Sequence, residues 1–296
     1  MKIYGIIHMI ALNDKIIGIK SYKTIKFFHF KASLMNTFRR YLYQDNWIEL
    51  EYDENKMVKS GNYLAYETSY VIKVEARGRF DSVIYYDKYQ ISKSLYQFLD
   101  SLDIMMFVDF EMSMPPYNFK GKGFKTELIQ AGFITVDKDY NVLDEYNNYI
   151  KPKISTTLSK RTLDFLNITN EEFENNVIPY NDFYNDFKHY LLKYSPAIII
   201  YGRNDKLVLE SSYEINYVKS LESKTRFINL CQLVKSFYEL KNDPGLFKLL
   251  EAYYEKDYIQ VHNALSDSKA TLLVYQAFKK DVLEKKYVDK IRSIFN

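Results

Sequence analysis

Residues 104–113 read IMMFVDFEMS, a short apolar run that ends at a loop rich in proline and glycine, MPPYNFKGKG (114–123). That pattern is a buried β-strand. Side chains alternate along a strand, so Asp109 and Glu111 stand side by side on one face, with Phe110 and Met112 directed to the other as core residues. Two neighbouring carboxylates repel each other and are costly to keep charged away from water unless a cation lies between them.

Two further stretches bring more of the same chemistry. PAIIIYGRNDKLVLE (196–210) is a second apolar strand that delivers Asp205 just past its end. HNALSDSKATLLVYQAF (262–278) opens a helical pattern with His262 and Asp267 five residues apart. Residues five apart on an α-helix point ~140° away from each other, so the two share a site only if His262 lies on the loop before the helix. Asp267 then falls in the first turn, where the helix dipole favours a carboxylate. Carboxylates at the ends of several elements, joined by one histidine, suit a divalent-metal phosphodiesterase.

The order Asp109-x-Glu111, Asp205, His262-x-x-x-x-Asp267 resembles the DEDDh branch of the DnaQ-like 3′-to-5′ exonucleases. The stretches between the motifs carry the same resemblance. ELIQAGFITVDKDYNVLDEYNNYIKP (127–152) looks like the second and third strands of that family, and TTLSKRTLDFLNITNEEF (156–173) is similar to the helix and loop of its KapD/ERI-like subgroup. The resemblance covers about residues 103–280 and implies an RNase H-like fold with two Mg²⁺ or Mn²⁺ ions per active site. Asp109, Glu111, Asp205 and Asp267 would be the metal ligands and His262 the general base. Ser113 stands near the position where the family often places Thr directly after the Glu, and is the candidate for a 3′-hydroxyl contact. Lys120 and Lys122, on the loop after the first strand, are candidates for phosphate contacts. The implied reaction releases nucleoside 5′-monophosphates from single-stranded 3′ ends, with RNA preferred. A DNA exonuclease of the proofreading or repair type is the alternative. A non-catalytic nucleic-acid-binding protein is the competing class, and five intact motif residues argue against it.

Within residues 103–296 the pattern predicts strands at 103–112, 124–137 and 141–150, helices at 156–166 and 179–193, a strand at 196–201 and a helix at 205–217. A short strand at 227–230 and further helices follow. Three consecutive strands and then a strand–helix alternation describe a mixed α/β sheet flanked by helices.

Residues 1–76 read differently, as five short strands with a helix after the third, which is the pattern of a small all-β OB-type barrel. KFFHFKAS (26–33) resembles the ribonucleoprotein motif of cold-shock domains, an OB variant whose strand aromatics stack on single-stranded bases. Phe28 and Phe30 are the stacking candidates. They share a face opposite His29, and the alternation alone leaves open whether that face is wet or core. Residues 77–102 read as a connecting segment with a helix from Ser92 to Leu102.

Composition sets the outer bounds. The chain has 296 residues, 47% hydrophobic and 27% charged, values of a globular protein long enough for two domains. The 29 Tyr and 20 Phe accompany heavy use of Lys, Asn and Ile, a bias of base composition that by itself says nothing about base stacking. Net charge is only +3, which makes no global electrostatic case for nucleic acid. Residues 1–100, however, carry 15 Lys and Arg against 11 Asp and Glu, a mild basic excess at the front. The single Cys231 excludes an intrachain disulfide and points to a reducing compartment. No apolar run reaches the ~20 residues needed to span a bilayer, so the expectation is a cytoplasmic protein with no membrane partner.

Overall fold

The computed structural model describes residues 1–78, 82–121, 123–221, 225–258 and 260–295, in two compact units, Met1–Ser94 and Leu95–Asn296. The boundary falls inside the stretch 77–102 read above as a connecting segment.

The first unit contains β1 (Lys2–Ala11), β2 (Ile16–Ser21), β3 (Thr24–His29), α1 (Ala32–Phe38), β4 (Trp47–Ser60), β5 (Tyr63–Arg77) and β6 (Ser82–Asp87). Helix α2 (Lys88–Asp100) runs across the boundary. The strand order is β3-β2-β1-β4-β5-β6, and a parallel pairing of β3 with β5, Phe28 opposite Tyr66, closes the first five strands on themselves. Closure with a helix between the third and fourth strands is the OB-type barrel expected from the alternation. Strand β6 extends the sheet from β5 and was not anticipated.

The barrel core decides the question about its aromatics. Ile7, Ile17, Ile19, Phe28, Phe30, Ile48, Leu50, Val71 and Val74 are fully buried together. The Phe28 ring meets Tyr52 edge-on at 5.1 Å. Phe28 and Phe30 are therefore core, and the expectation that they stack on bases is corrected: a ring with no accessible surface presents no face to a ligand. Phe28→Ala should lower the melting temperature as a cavity mutant does, by about 3–5 kcal/mol of unfolding free energy. Urea or thermal unfolding of this variant, followed by circular dichroism, measures that loss.

The second unit contains β7 (Ile104–Met112), β8 (Leu128–Asp137), β9 (Val142–Ile150), α3 (Lys160–Leu166), α4 (Asn170–Asn176), β10 (Val177–Ile178), α5 (Tyr180–Tyr194), β11 (Ala197–Ile200), α6 (Asn204–Asn216), β12 (Arg226–Asn229), α7 (Leu230–Tyr238), α8 (Leu246–Tyr254), α9 (Ala264–Glu284) and α10 (Val288–Phe295). The sheet order is β10-β9-β8-β7-β11-β12. Strand β7 is central, antiparallel to β8 and parallel to β11. This is the helix-flanked mixed sheet expected from the sequence. Helix α4 and the two-residue β10 are additions, and α4 begins at a capping box formed by Thr169 and Glu172.

The alternation of β7 separates two cores. Met106, Val108 and Phe110 pack with α5 and α6, and Phe110 meets Phe183 and Phe187 edge-on. Met105 and Phe107 face the other way, into a core built with α7, α8 and α9. Asp109 and Glu111 continue that second face beyond the end of its apolar packing.

Candidate active site

Three elements meet where the apolar part of β7 gives out. The first is β7 itself, with Asp109 opposite Gly132 and Glu111 opposite Gln130 on β8. The second is the turn from β11 into α6, which passes through Gly202 at φ +108°, a conformation open to glycine, and places Asp205 in the first helical turn. The Asp205 Oδ1 accepts from the Phe110 backbone N–H at 3.0 Å, so this carboxylate is held against β7 between the two acidic residues of the strand.

The third element is the start of α9. Its N-cap is Asn263, whose side chain accepts from Ser266 N–H, and Asp267 lies in the first turn. His262 precedes the cap on the loop, at φ +50°, as the five-residue spacing requires. Helix α9 can come this close only because residue 132 is glycine. A Cβ there would lie 2.0 Å from Leu265 N and 2.1 Å from the Ala264 carbonyl carbon. The Ala264 N–H also donates to the buried Gln130 Oε1 at 3.3 Å. Gln130 and Gly132, which the sequence reading passed over, thus seat the helix that brings His262 and Asp267 to Glu111.

Glu111, His262 and Asp267 come close enough that one ligand atom from each lies within 4.8 Å of the others. Glu111, Asp205 and Asp267 are buried, at 8%, 5% and 5% exposure, and Asp109 is half-buried. Burial, and after it the neighbouring charges of Asp267 and Asp205, push the Glu111 carboxyl up to about 7. Asp205 is pushed up to about 6 by burial, against the stabilising Phe110 N–H. Asp109 is raised well above the ordinary carboxylate range by burial and then by Asp205, Glu111 and Asp267. Asp267 is raised by burial, opposed by a hydrogen bond from Gln260 Nε2 to Oδ2 at 3.0 Å. Its other oxygen, Oδ1, is buried with no hydrogen-bond partner among the described residues.

Four mutually repelling carboxylates and an orphaned buried oxygen fit a divalent cation, since hard cations take carboxylate oxygens and cancel that charge. The four carboxylates would hold it, with His262 beside Glu111 and Asp267.

The raised Glu111 pKa makes a pH prediction. The folded site holds this proton more tightly than the unfolded chain does. Its contribution to stability is therefore complete below about 4.5 and is lost as the pH rises to about 7. In the presence of chelator at pH 8, Glu111→Gln should be more stable than the parent by an amount on the order of 3 kcal/mol, and at pH 4.5 nearly equal to it. Melting temperatures of both proteins across this range test the sign.

Other residues singled out from the sequence are placed elsewhere. Ser113 is buried, and its Oγ accepts from Glu127 N–H at 2.9 Å. That hydroxyl braces the loop after β7, which corrects its reading as a 3′-hydroxyl contact. Lys120 is exposed on the same loop, and Lys122 lies outside the described residues. Phe165, on α3, was not singled out. Its ring lies 3.9 Å from that of His262, centroid to centroid, with 34° between the planes. No sequence signal joins a phenylalanine on one short helix to a histidine on a distant loop. Gln260 likewise has no motif and is found only by its bond to Asp267.

The sequence model of the RNase_T exonuclease family matches residues 106–275, a stretch holding all five motif residues. A probable 3′-5′ exonuclease, KapD, of Bacillus subtilis (strain 168) is 27% identical over 186 residues, 63% of this chain and 88% of that protein. The nuclease domain of 3′hExo, a DEDDh family member solved with bound rAMP, superposes with a TM-score of 0.52 at 19% identity, over 64% of this chain and 95% of that one. A 3′-exonuclease solved for its 3′-end-specific recognition of a histone mRNA stem-loop gives 0.52 at 18% identity, over 66% and 71%. Both share the fold of the second unit.

Proposed function

This chain belongs to the RNase_T exonuclease family and is a 3′-to-5′ exonuclease of the DEDDh type; on that premise we propose that it removes nucleoside 5′-monophosphates from single-stranded 3′ ends, with RNA preferred. The observation that carries the catalytic assignment is the Glu111–His262–Asp267 cluster, with its unpartnered Asp267 Oδ1, inside the field of Asp109 and Asp205. The RNA preference rests on the KapD/ERI-like resemblance of residues 127–173.

In this reading Asp109, Glu111, Asp205 and Asp267 would hold two Mg²⁺ or Mn²⁺ ions. When bound, such cations polarise the scissile phosphodiester, lower the pKa of the attacking water and offset the charge that develops on the leaving oxygen. The Phe110 N–H and the Gln260 amide each occupy one oxygen of Asp205 and Asp267, which orients the remaining oxygens. His262 takes the proton from the attacking water. The bond between phosphorus and the 3′ oxygen of the penultimate nucleotide breaks, that oxygen takes a proton from solvent while His262 gives its own back to solvent, and the terminal nucleotide departs as its 5′-monophosphate. Phe165, packed on the imidazole, keeps its plane.

We assign the barrel the role of a handle for the substrate strand. With Phe28 and Phe30 buried, Phe27 and Tyr63 are a candidate outward pair, both half-buried with ring centroids 5.2 Å apart. Phe27→Ala should weaken single-strand binding by ~1–3 kcal/mol at an unchanged melting temperature. Equal affinity of variant and parent for a labelled oligonucleotide would remove the handle.

The nuclease itself is tested by one comparison. End-labelled single-stranded RNA and DNA of matching sequence are incubated with Mg²⁺, Mn²⁺ or chelator, and products are resolved by length. Mononucleotide release from the 3′ end with either metal, faster on RNA and blocked by chelator, is the expected result. Faster loss of DNA would make it a DNA exonuclease.

A further inference from the structure

Helix α3, which carries Phe165, has only seven residues, too few to hold itself together in water, so tertiary contacts must fix it. Its N-cap, Ser159, accepts from the Thr162 N–H at 3.1 Å. The same hydroxyl donates to the Met114 carbonyl at 2.8 Å. Thr162 is fully buried, and its Oγ1 accepts from the Met114 N–H at 3.0 Å. The two hydroxyl oxygens lie 2.9 Å apart. Both backbone polar groups of Met114 are thus taken by side chains at the start of α3. Tyr117, farther along the same loop, donates its hydroxyl to Asp164 Oδ2 at 3.2 Å. Leu158 and Leu166, at the two ends of the helix, pack with Ile129 and Phe173 in a small core.

Met114 follows directly on β7, which ends at Met112 just past Glu111. The hydroxyl clamp therefore ties α3 to the strand that bears two of the acids. Phe165 stands one turn beyond Thr162, so fixing the start of the helix also fixes this ring. Its partner is the His262 imidazole, 3.9 Å away between ring centres. His262 needs such support, because its backbone is at φ +50°. A residue with a Cβ is strained in that region and stays there only when its surroundings hold it.

We propose that Ser159 and Thr162 are positioning residues for the proton transfer: gripping Met114 on one side and presenting Phe165 on the other, they set the place of His262 relative to the acids of β7. The proposal rests on the reading of His262 as general base. A base works only within hydrogen-bond reach of the proton it takes. A displacement of about 1 Å, even one caused by a change far from the chemistry, costs up to ~10²-fold in rate. The four carboxylates stand on β7, α6 and α9, not on α3, so loosening the clamp moves the base and leaves the cation ligands where they are.

The test uses the full chain, isotope-labelled at histidine Cε1 for NMR in chelator. The chain has four histidines, and the signal lost in His262→Gln is that of His262. Stacking on Phe165 should displace this signal upfield through the ring current. Phe165→Leu, at a side chain 39% exposed, should abolish the displacement. Thr162→Val, which keeps the side-chain shape without the hydroxyl, and Ser159→Ala should each reduce it. With Mn²⁺ and a labelled single strand, Thr162→Val should lower kcat about 10- to 100-fold at unchanged KM and unchanged Mn²⁺ concentration for half-maximal activity. Thr162→Ser, which returns the hydroxyl, should restore both the signal and kcat. A His262 signal that ignores Thr162 and Ser159 would overturn the proposal, and so would a displaced signal with kcat intact. A loss confined to KM would overturn it too, since α3 would then be a substrate contact. If the parent cleaves nothing while its His262 signal still follows Phe165, Thr162 and Ser159, the clamp stands and the reading of His262 as a base falls.

Discussion

Asp267→Asn should abolish nucleotide release while making the metal-free protein harder to melt. Asparagine keeps the shape of the side chain and an oxygen for the Gln260 amide, which now bonds Asp267 Oδ2 at 3.0 Å. What disappears is one negative charge and the buried, unpartnered Oδ1. Losing a cation ligand removes several kcal/mol of transition-state charge stabilisation, so turnover should fall at least ~10³-fold. In chelator the same change relieves repulsion on Asp109, Glu111 and Asp205, each of which feels the Asp267 charge. The melting temperature at pH 8 should therefore rise. Asp109→Asn should behave alike. Single-turnover release of mononucleotides and thermal melts read the two effects separately. Full turnover by either variant under Mg²⁺ would take that residue out of the ligand set.

His262→Ala should reduce kcat by ~10²–10⁴-fold with little change in KM, the usual range for a lost general base. The geometry makes a second measurement decisive, because His262 stands close enough to Glu111 and Asp267 to act as a metal ligand itself. If it only transfers a proton, the Mn²⁺ concentration for half-maximal residual activity should match that of the parent. A large increase in that concentration would make His262 a ligand, and a loss confined to KM would make it a substrate contact. Removing its ring also leaves the Phe165 face uncovered. Phenylalanine 165 is already 39% exposed, so the fold should tolerate this.

The central strand, the paired acids on it and the barrel pattern were legible in the sequence for one reason: each is written in local periodicity. Alternation along IMMFVDFEMS places Asp109 and Glu111 on one face whatever surrounds them, and β7 has that arrangement. The five-residue step from His262 to Asp267 forces the histidine off the helix, and Asn263 caps α9 just after it. The same alternation puts Phe28 opposite its neighbours but carries no sign for inside or outside. Only the parallel closure of β3 on β5 makes that face the interior. Ser113 failed for a related reason, since a hydroxyl near a catalytic acid looks available until the long loop returns Glu127 to it. Long-range contacts decided everything else that shapes the site. Gly132 admits the α9 backbone, Gln130 holds it, Phe165 covers the histidine and the buried Glu127 carboxylate accepts the backbone N–H groups of Lys153, Ile154 and Ser155. None of these has a spacing rule, because their partners lie far along the chain and meet only when the sheet and its helices have packed.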